Sequence, residues 1–202
     1  MNDNRQNQKH TIAGMATAFT ESVSTTNPET ALTTLGHFIC DHLGDKSAGG
    51  CPGSLKPGET DFTISGYFIV RPEYNDMILI SEIGWPEEQH RLTIETGEGR
   101  PGWVVDNAAP MVLPNTDDDA TFTQILSSAR MGSSMYAPLM WQGSVLGLVT
   151  LASQARYSYS NDDLPLLQLV AAHAASMWVS LGGKEFLSGA ATGQFLPKDR
   201  NR

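Results

Sequence analysis

Cys40 and Asp41 lie three and four residues after His37 within a helical pattern. Residues so spaced share one face of a helix. Imidazole, thiolate and carboxylate are ligands for a zinc-like ion, and Cys51 could add a second thiolate. The set lacks a Cys-x-x-Cys pair and a second paired cluster, which such sites use. The simpler reading makes Cys40 a small buried apolar side chain, and no metal is expected. Gly97-x-Gly99-x-x-Gly102 repeats the glycine spacing of a dinucleotide loop. That loop needs a preceding strand and a long following helix whose N-terminus meets the pyrophosphate. Here Pro101 sits inside the run, and the helical pattern after it covers only residues 103–107. A tight turn with glycines at positive φ is the expectation. No Ser-His-Asp set or carboxylate pair can be assembled, so no catalytic residue is assigned. Asp117-Asp118-Asp119 reads as a solvated helix start, favourable beside the helix dipole.

A third group is apolar. Tyr67, Trp85, Trp103, Phe122, Met131, Tyr136 and Trp141 are spread over segments that could close one cavity. Aromatic walls with a few polar atoms suit a small apolar or planar ligand. They suit a self-filled core equally well.

The elements that must position these residues can be read from pattern. Asn27-Pro28-Glu29 is a helix start, with Asn as N-cap, Pro at the first position and an acid in the first turn. Leu32, Leu35, Phe38, Ile39 and Leu43 then repeat at helical spacing until Gly44. Residues 44–60 are rich in Gly, Pro and polar types and form a long loop. Residues 62–71 and 77–83 read as a hairpin of two strands. A turn and short helix follow at 97–107, then a strand at 111–114. A helix beginning at residues 117–119 carries Phe122, Ile125 and Leu126. Strands at 134–140 and 144–153 flank a Gln142-Gly143 turn. A final helix starts at Ser160 with a capping-box-like Asp163 and stays apolar on nearly every side to Leu181. Such a helix must be buried on more than one face. A homodimer that packs the second faces of the first and last helices together is the expectation. Residues 1–28 are expected to be flexible, with a short helix at 11–24, and residues 182–202 to be a tail.

The 202 residues carry a net charge of −9 and two cysteines. An acidic surface repels phosphate backbones, so nucleic acid is not an expected partner. No apolar run approaches the roughly 20 residues of a membrane span, and the polar N-terminus lacks a secretory core. A cytoplasmic protein without a disulfide framework is expected.

Taken in order, Pro138-Leu139, Gly143, Gly147, Ser153 and Asp163-Leu164 resemble the C-terminal half of a GAF domain. Gly99-x-x-Gly102-Trp103-Val104-Val105 and Pro114-Asn115-Thr116-Asp117 resemble its first half, so the likeness covers residues 29–181. The resemblance implies an α/β (α+β) fold of GAF/PAS type. Its central antiparallel sheet has the terminal helices on one face, with short helices and loops closing a pocket on the other. It implies a non-catalytic sensory module that binds a small molecule of unknown identity and signals through a separate partner protein. It also supplies the ligand-facing choice: Tyr67 and Ile69 on the first strand, Trp103, Phe122, and Ser134 and Tyr136 on a later strand. The cyclic-nucleotide signature of the family is incomplete, because no Lys follows Asn115. One branch reduces free methionine sulfoxide with cysteines placed beyond the second strand. This chain has no cysteine after Cys51, and a bilin thioether fails for the same reason. Family haem ligation would fall to His90 or His173, neither with a supporting context, and the cofactor stays unknown.

Overall fold

The computed structural model describes residues 2–189. Six antiparallel strands form one sheet: β1 (Thr63–Arg71), β2 (Asp76–Ile83), β3 (Thr93–Glu95), β4 (Met111–Leu113), β5 (Ser133–Trp141) and β6 (Ser144–Ser153). Their spatial order is β3-β2-β1-β6-β5-β4. Helices α1 (Asn2–Ser22), α2 (Pro28–His42) and α4 (Leu164–Ser180) lie on one face, and α3 (Gly99–Asn107) lies on the other. A short α5 (Gly183–Gly189) follows α4. This is the α+β layout the resemblance implied.

Helix α2 begins where its cap chemistry says. The Asn27 side chain accepts from the Glu29 and Thr30 amides at 2.9 and 3.2 Å. Its apolar stripe of Leu32, Leu35 and Ile39 is fully buried against Tyr67, Ile69, Ile78 and Ile80 of the sheet. Each such side chain contributes about 1.5–3 kcal/mol of burial free energy. Alternation along the strands sorts the other set, Phe68, Met77, Leu79, Tyr136 and Leu148, to the opposite face.

Three expectations differ from the structure. Helix α1 begins at Asn2, not near residue 11. Its Thr and Ser residues have weak propensity, and tertiary contact supplies the stability: Met15, Ala18 and Phe19 join the helical-face core. The Phe19 ring stacks on His173 of α4 at 3.9 Å, and Ser22 Oγ pairs with His173 Nε2 at 2.9 Å. The second apolar face of α4 is therefore largely covered within the chain, with Leu169 and Val179 left exposed. Part of the expected tail is α5, whose Phe186 packs edge-on against Trp178; residues 190–202 lie outside the described residues. The helix expected from residues 117–119 is absent. A single 3₁₀ turn, Thr116–Asp118, leads into a segment without helix or strand.

Tyr67 sits fully buried among the helices, and its hydroxyl has no hydrogen-bond partner among the described residues. Burial pushes that hydroxyl's pKa well up. An unpaired buried hydroxyl costs free energy that its removal restores. Tyr67→Phe is expected to raise the unfolding free energy by about 1 kcal/mol in urea titration. A loss of similar size would show that the hydroxyl is bonded in solution.

Candidate functional site

On the face opposite α2 and α4, side chains from six segments line an apolar cavity. Ile64 and Phe68 of β1, Tyr136 of β5, and Thr150 and Ala152 of β6 make its floor. Trp85 and Pro101 stand at the side. Phe122, Ile125, Leu126 and Met131 form the roof. Trp85 is fixed by an indole hydrogen bond to the Ser65 carbonyl at 2.8 Å and by edge contact with Phe68 at 6.0 Å. The free volume is about 30 Å³. One water needs at least about 10–15 Å³ of such space. The space within its walls thus holds about two waters.

The roof, residues 117–131, is an Ω-like loop with its two ends pinned together. The Thr116 amide donates to Gly132 O at 2.8 Å, and Thr116 Oγ1 donates to Met131 O at 2.6 Å. Arg130 donates to Thr116 O at 2.9 Å, and its Nε reaches Asp117 at 3.2 Å. Between the ends, two side chains hold the loop down. Gln89 donates to Ile125 O at 2.9 Å and accepts from the Ser127 amide at 2.7 Å, as a strand neighbour would. Arg100, at the start of α3, grips Asp119 with two parallel bonds of 2.6 and 2.5 Å. Asp119 also accepts from the Thr121 amide and hydroxyl at 2.9 and 2.8 Å. Arg100 above all, with these Thr121 bonds, brings the Asp119 pKa down to about 2.

Beneath the roof's hinge lies Arg156, 3% exposed. Its Nε reaches Asp117 at 2.9 Å, and its two terminal nitrogens hold Glu59. Lys56 adds a 2.7 Å contact to Asp117. Lys56 first, then Arg156 and Arg130, hold the Asp117 carboxyl far below the usual carboxylate range. The Arg156 amide donates to Ser54 O at 2.9 Å, and the Thr60 amide to Gln154 Oε1 at 2.8 Å. Residues 54–60 are thus fastened to the domain and, through Lys56 and Arg156, to Asp117 at the roof's hinge.

Carboxyls with depressed folded-state pKa values stabilise the fold above their unfolded pKa near 4, and the contribution is lost as pH falls through the folded value. For Asp119 the window runs from about pH 4 down to about 2. The wild type is expected to lose stability across that window. Asp119→Asn should lose less of it, compared by urea midpoints at pH 5 and pH 2.5. Parallel acid curves for the two proteins would contradict the Arg100–Asp119 assignment.

Of the six residues expected to face a ligand, Phe122 and Tyr136 line the cavity. Ser134 shares the face of Tyr136 by alternation; it is fully buried, beside the Tyr136 hydroxyl. Burial pushes the Tyr136 hydroxyl up to about 12. Tyr67 and Ile69 are corrected: both point into the helical face. Trp103 is corrected too, since it is 39% exposed and outside the cavity wall. The cavity-facing partners on β1 are Ile64 and Phe68. Gln89 and Arg100 were not anticipated; a buried glutamine and an arginine beside glycines carry no sequence pattern that marks a clamp.

The other chemistry candidates have structural roles. Gly97 has φ 83°, and a Cβ on Gly102 would lie 2.3 Å from the Gly97 carbonyl carbon. The glycine run is therefore a close-packed turn. Cys40 is half-buried beside the helical core, and burial pushes its thiol up. His90 pairs with Glu82, and His173 is held between Phe19 and Ser22. Among the described residues no three His, Cys, Asp or Glu side chains cluster as metal ligands, and no helix is long and apolar enough to cross a membrane.

Comparison with known proteins agrees with this geometry. A family model described as GAF domain matches residues 31–177. No curated protein matches the chain. Among solved structures, the GAF domain of a phosphoenolpyruvate-protein phosphotransferase from Coxiella burnetii superposes with a TM-score of 0.71 at 17% identity, covering 87% of this chain and 96% of that one. The corresponding domain from Acinetobacter gives 0.69 at 12% identity, with 85% and 94% covered. The free methionine-R-sulfoxide reductase from Neisseria meningitidis, in complex with its substrate, gives 0.64 at 15% identity, with 83% and 87% covered. At these identities the likeness is one of fold.

Proposed function

The chain belongs to the GAF domain family, and from that premise we propose that it is a non-catalytic regulatory module that binds a small molecule beneath the residue 117–131 roof. The observation that carries this reading is an apolar cavity whose roof is tied down by a few polar latches. The space within the walls takes about two waters, so a larger ligand that is to be enclosed must lift the roof. Binding and roof displacement are then one equilibrium, and a ligand shifts it by its preference for the open form. The hinge on which the roof rises has a route to the helical face. Ser133 Oγ, one residue past the hinge, accepts from the Tyr159 amide at 3.2 Å, and Pro114 O accepts from the Tyr157 amide at 2.6 Å. Residues 157–159 lead directly into α4, and a partner protein would read the change there.

A sulfoxide reductase among the structural neighbours raises the enzyme alternative. The thiols of this chain argue for the non-catalytic reading. Cys40 packs against the helical-face core, and Cys51 is exposed within residues 44–60; neither lines the cavity. A second reading draws on the 30 Å³ volume: the cavity is permanently filled by its own side chains, and the chain acts as an adaptor.

Gln89→Ala separates the two. Loss of both backbone bonds is expected to speed amide exchange in residues 119–131 by about tenfold or more, with β1 and β6 unchanged. On the ligand-binding reading, calorimetry with a small aromatic ligand found by screening gives tighter binding to this variant. Tyr136→Ala should then weaken that ligand by at least about 1 kcal/mol, with folding verified by circular dichroism. Faster exchange with no aromatic ligand for either wild type or Gln89→Ala would favour the filled adaptor instead.

A further inference from the structure

Arg100 is three-quarters buried at the cavity's edge, next to the lining residue Pro101. Its partner, Asp119, is on the roof. Phe122, three residues along the same segment, lines the cavity from the roof, its ring stacked beneath Arg130. The roof thus places a carboxylate and an aromatic ring into one site. The remaining walls, Phe68, Trp85 and Tyr136, are aromatic and suit a flat body. Raising the roof takes Asp119 away from Arg100. A partly buried guanidinium left without its anion is costly, and another carboxylate can restore the paired geometry. Arg130 and Arg156 do not face this problem, because their shared partner Asp117 belongs to the pinned hinge.

Building on the reading of a ligand beneath the roof, we propose that the ligand is an aryl carboxylic acid: its carboxylate takes Arg100 from Asp119 while its ring packs on Phe68, Trp85 and Tyr136 and displaces Phe122 from the cavity wall. Asp119 and Phe122 are then internal competitors that keep the empty site closed. Neutral aromatic molecules of the same size lack the half of the contact that replaces Asp119, and they bind less well.

The test uses 3-phenylpropanoate and its neutral amide, titrated calorimetrically into the wild type, Arg100→Gln and Asp119→Asn. Circular dichroism verifies folding. The wild type is expected to bind the acid about tenfold more tightly than the amide, the worth of a charge-assisted pair. Arg100→Gln should erase that preference by weakening the acid, with the amide within about threefold of its wild-type affinity. Asp119→Asn should tighten the acid by about threefold or more, because the internal anion is gone. Equal affinity of acid and amide in the wild type, or a preference that survives Arg100→Gln, overturns the carboxylate assignment. If the amide or other neutral aromatics still bind in the cavity, the ligand-binding reading stands without it. If nothing binds to the wild type or to Asp119→Asn, both fail.

Discussion

Arg156→Ala is expected to lower the unfolding free energy by about 3 kcal/mol, at the lower end for a broken buried ion-pair network. The guanidinium is almost wholly enclosed and serves Asp117, Glu59, and the carbonyls of Ser54 and Gln154 together. Removing it leaves two carboxylates close together with only Lys56 and Arg130 to offset them. Both carboxylates keep some solvent contact, which places the loss at about 3 rather than 5 kcal/mol. Arg156→Lys retains the charge but not the planar fork, and should recover less than half of the loss. Urea titration at pH 7 measures both variants. The same change removes the side-chain hold on Glu59 and on Ser54 O, leaving residues 54–60 tied by the residue 156 and Thr60 amides and by Lys56, so proteolysis should rise there first. An Arg156→Ala protein with wild-type stability would mean that the hub contributes no net free energy.

Gly102→Ala is the second large effect. The added methyl would sit 2.3 Å from the Gly97 carbonyl carbon and 2.6 Å from its Cα, both backbone atoms that cannot rotate away. The turn must shift, carrying Gly99 and Arg100 with it. Overpacking of this kind costs about 2–3 kcal/mol. The displaced Arg100 would also loosen Asp119, so faster exchange of the residue 119–131 amides should accompany the lower thermal midpoint. A stable Gly102→Ala protein with unchanged roof exchange would show that the turn has slack.

The sequence discloses its helices and long strands where pattern and cap coincide. Asn27-Pro28-Glu29 and the Leu32–Leu43 stripe place α2 within a residue of its observed start. The family likeness, confirmed by the match over residues 31–177, places the pocket on the face away from the terminal helices. Alternation could not say which β1 residues face it. Residues 64–70 are buried or nearly so on both sides, and a strand covered on both faces has no polar set to mark one of them. Phe122, Ile125 and Leu126 carry helical spacing, yet no helix forms. Gln89 takes the backbone bonds near Ile125 and Ser127, and the apolar side chains face the cavity. Tertiary contact overrides local pattern there. Strand β3 is three residues long, too short to show a period in the sequence. Its pairing with β2 through Met77 and Ile94 comes from register, not propensity.

Entry of a small molecule into the cavity between the sheet and the residue 117–131 roof can be observed directly. The most direct measurement is methyl NMR of protein labelled at Met, Ile and Leu, titrated with a panel of small aromatic compounds including 3-phenylpropanoate. The expected result is concentration-dependent shifts at Ile64, Ile125, Leu126 and Met131, with the helical-face methyls of Leu32, Leu35 and Ile39 unmoved at the first additions. No shift with any compound, or shifts confined to the helical face, would contradict entry at this cavity.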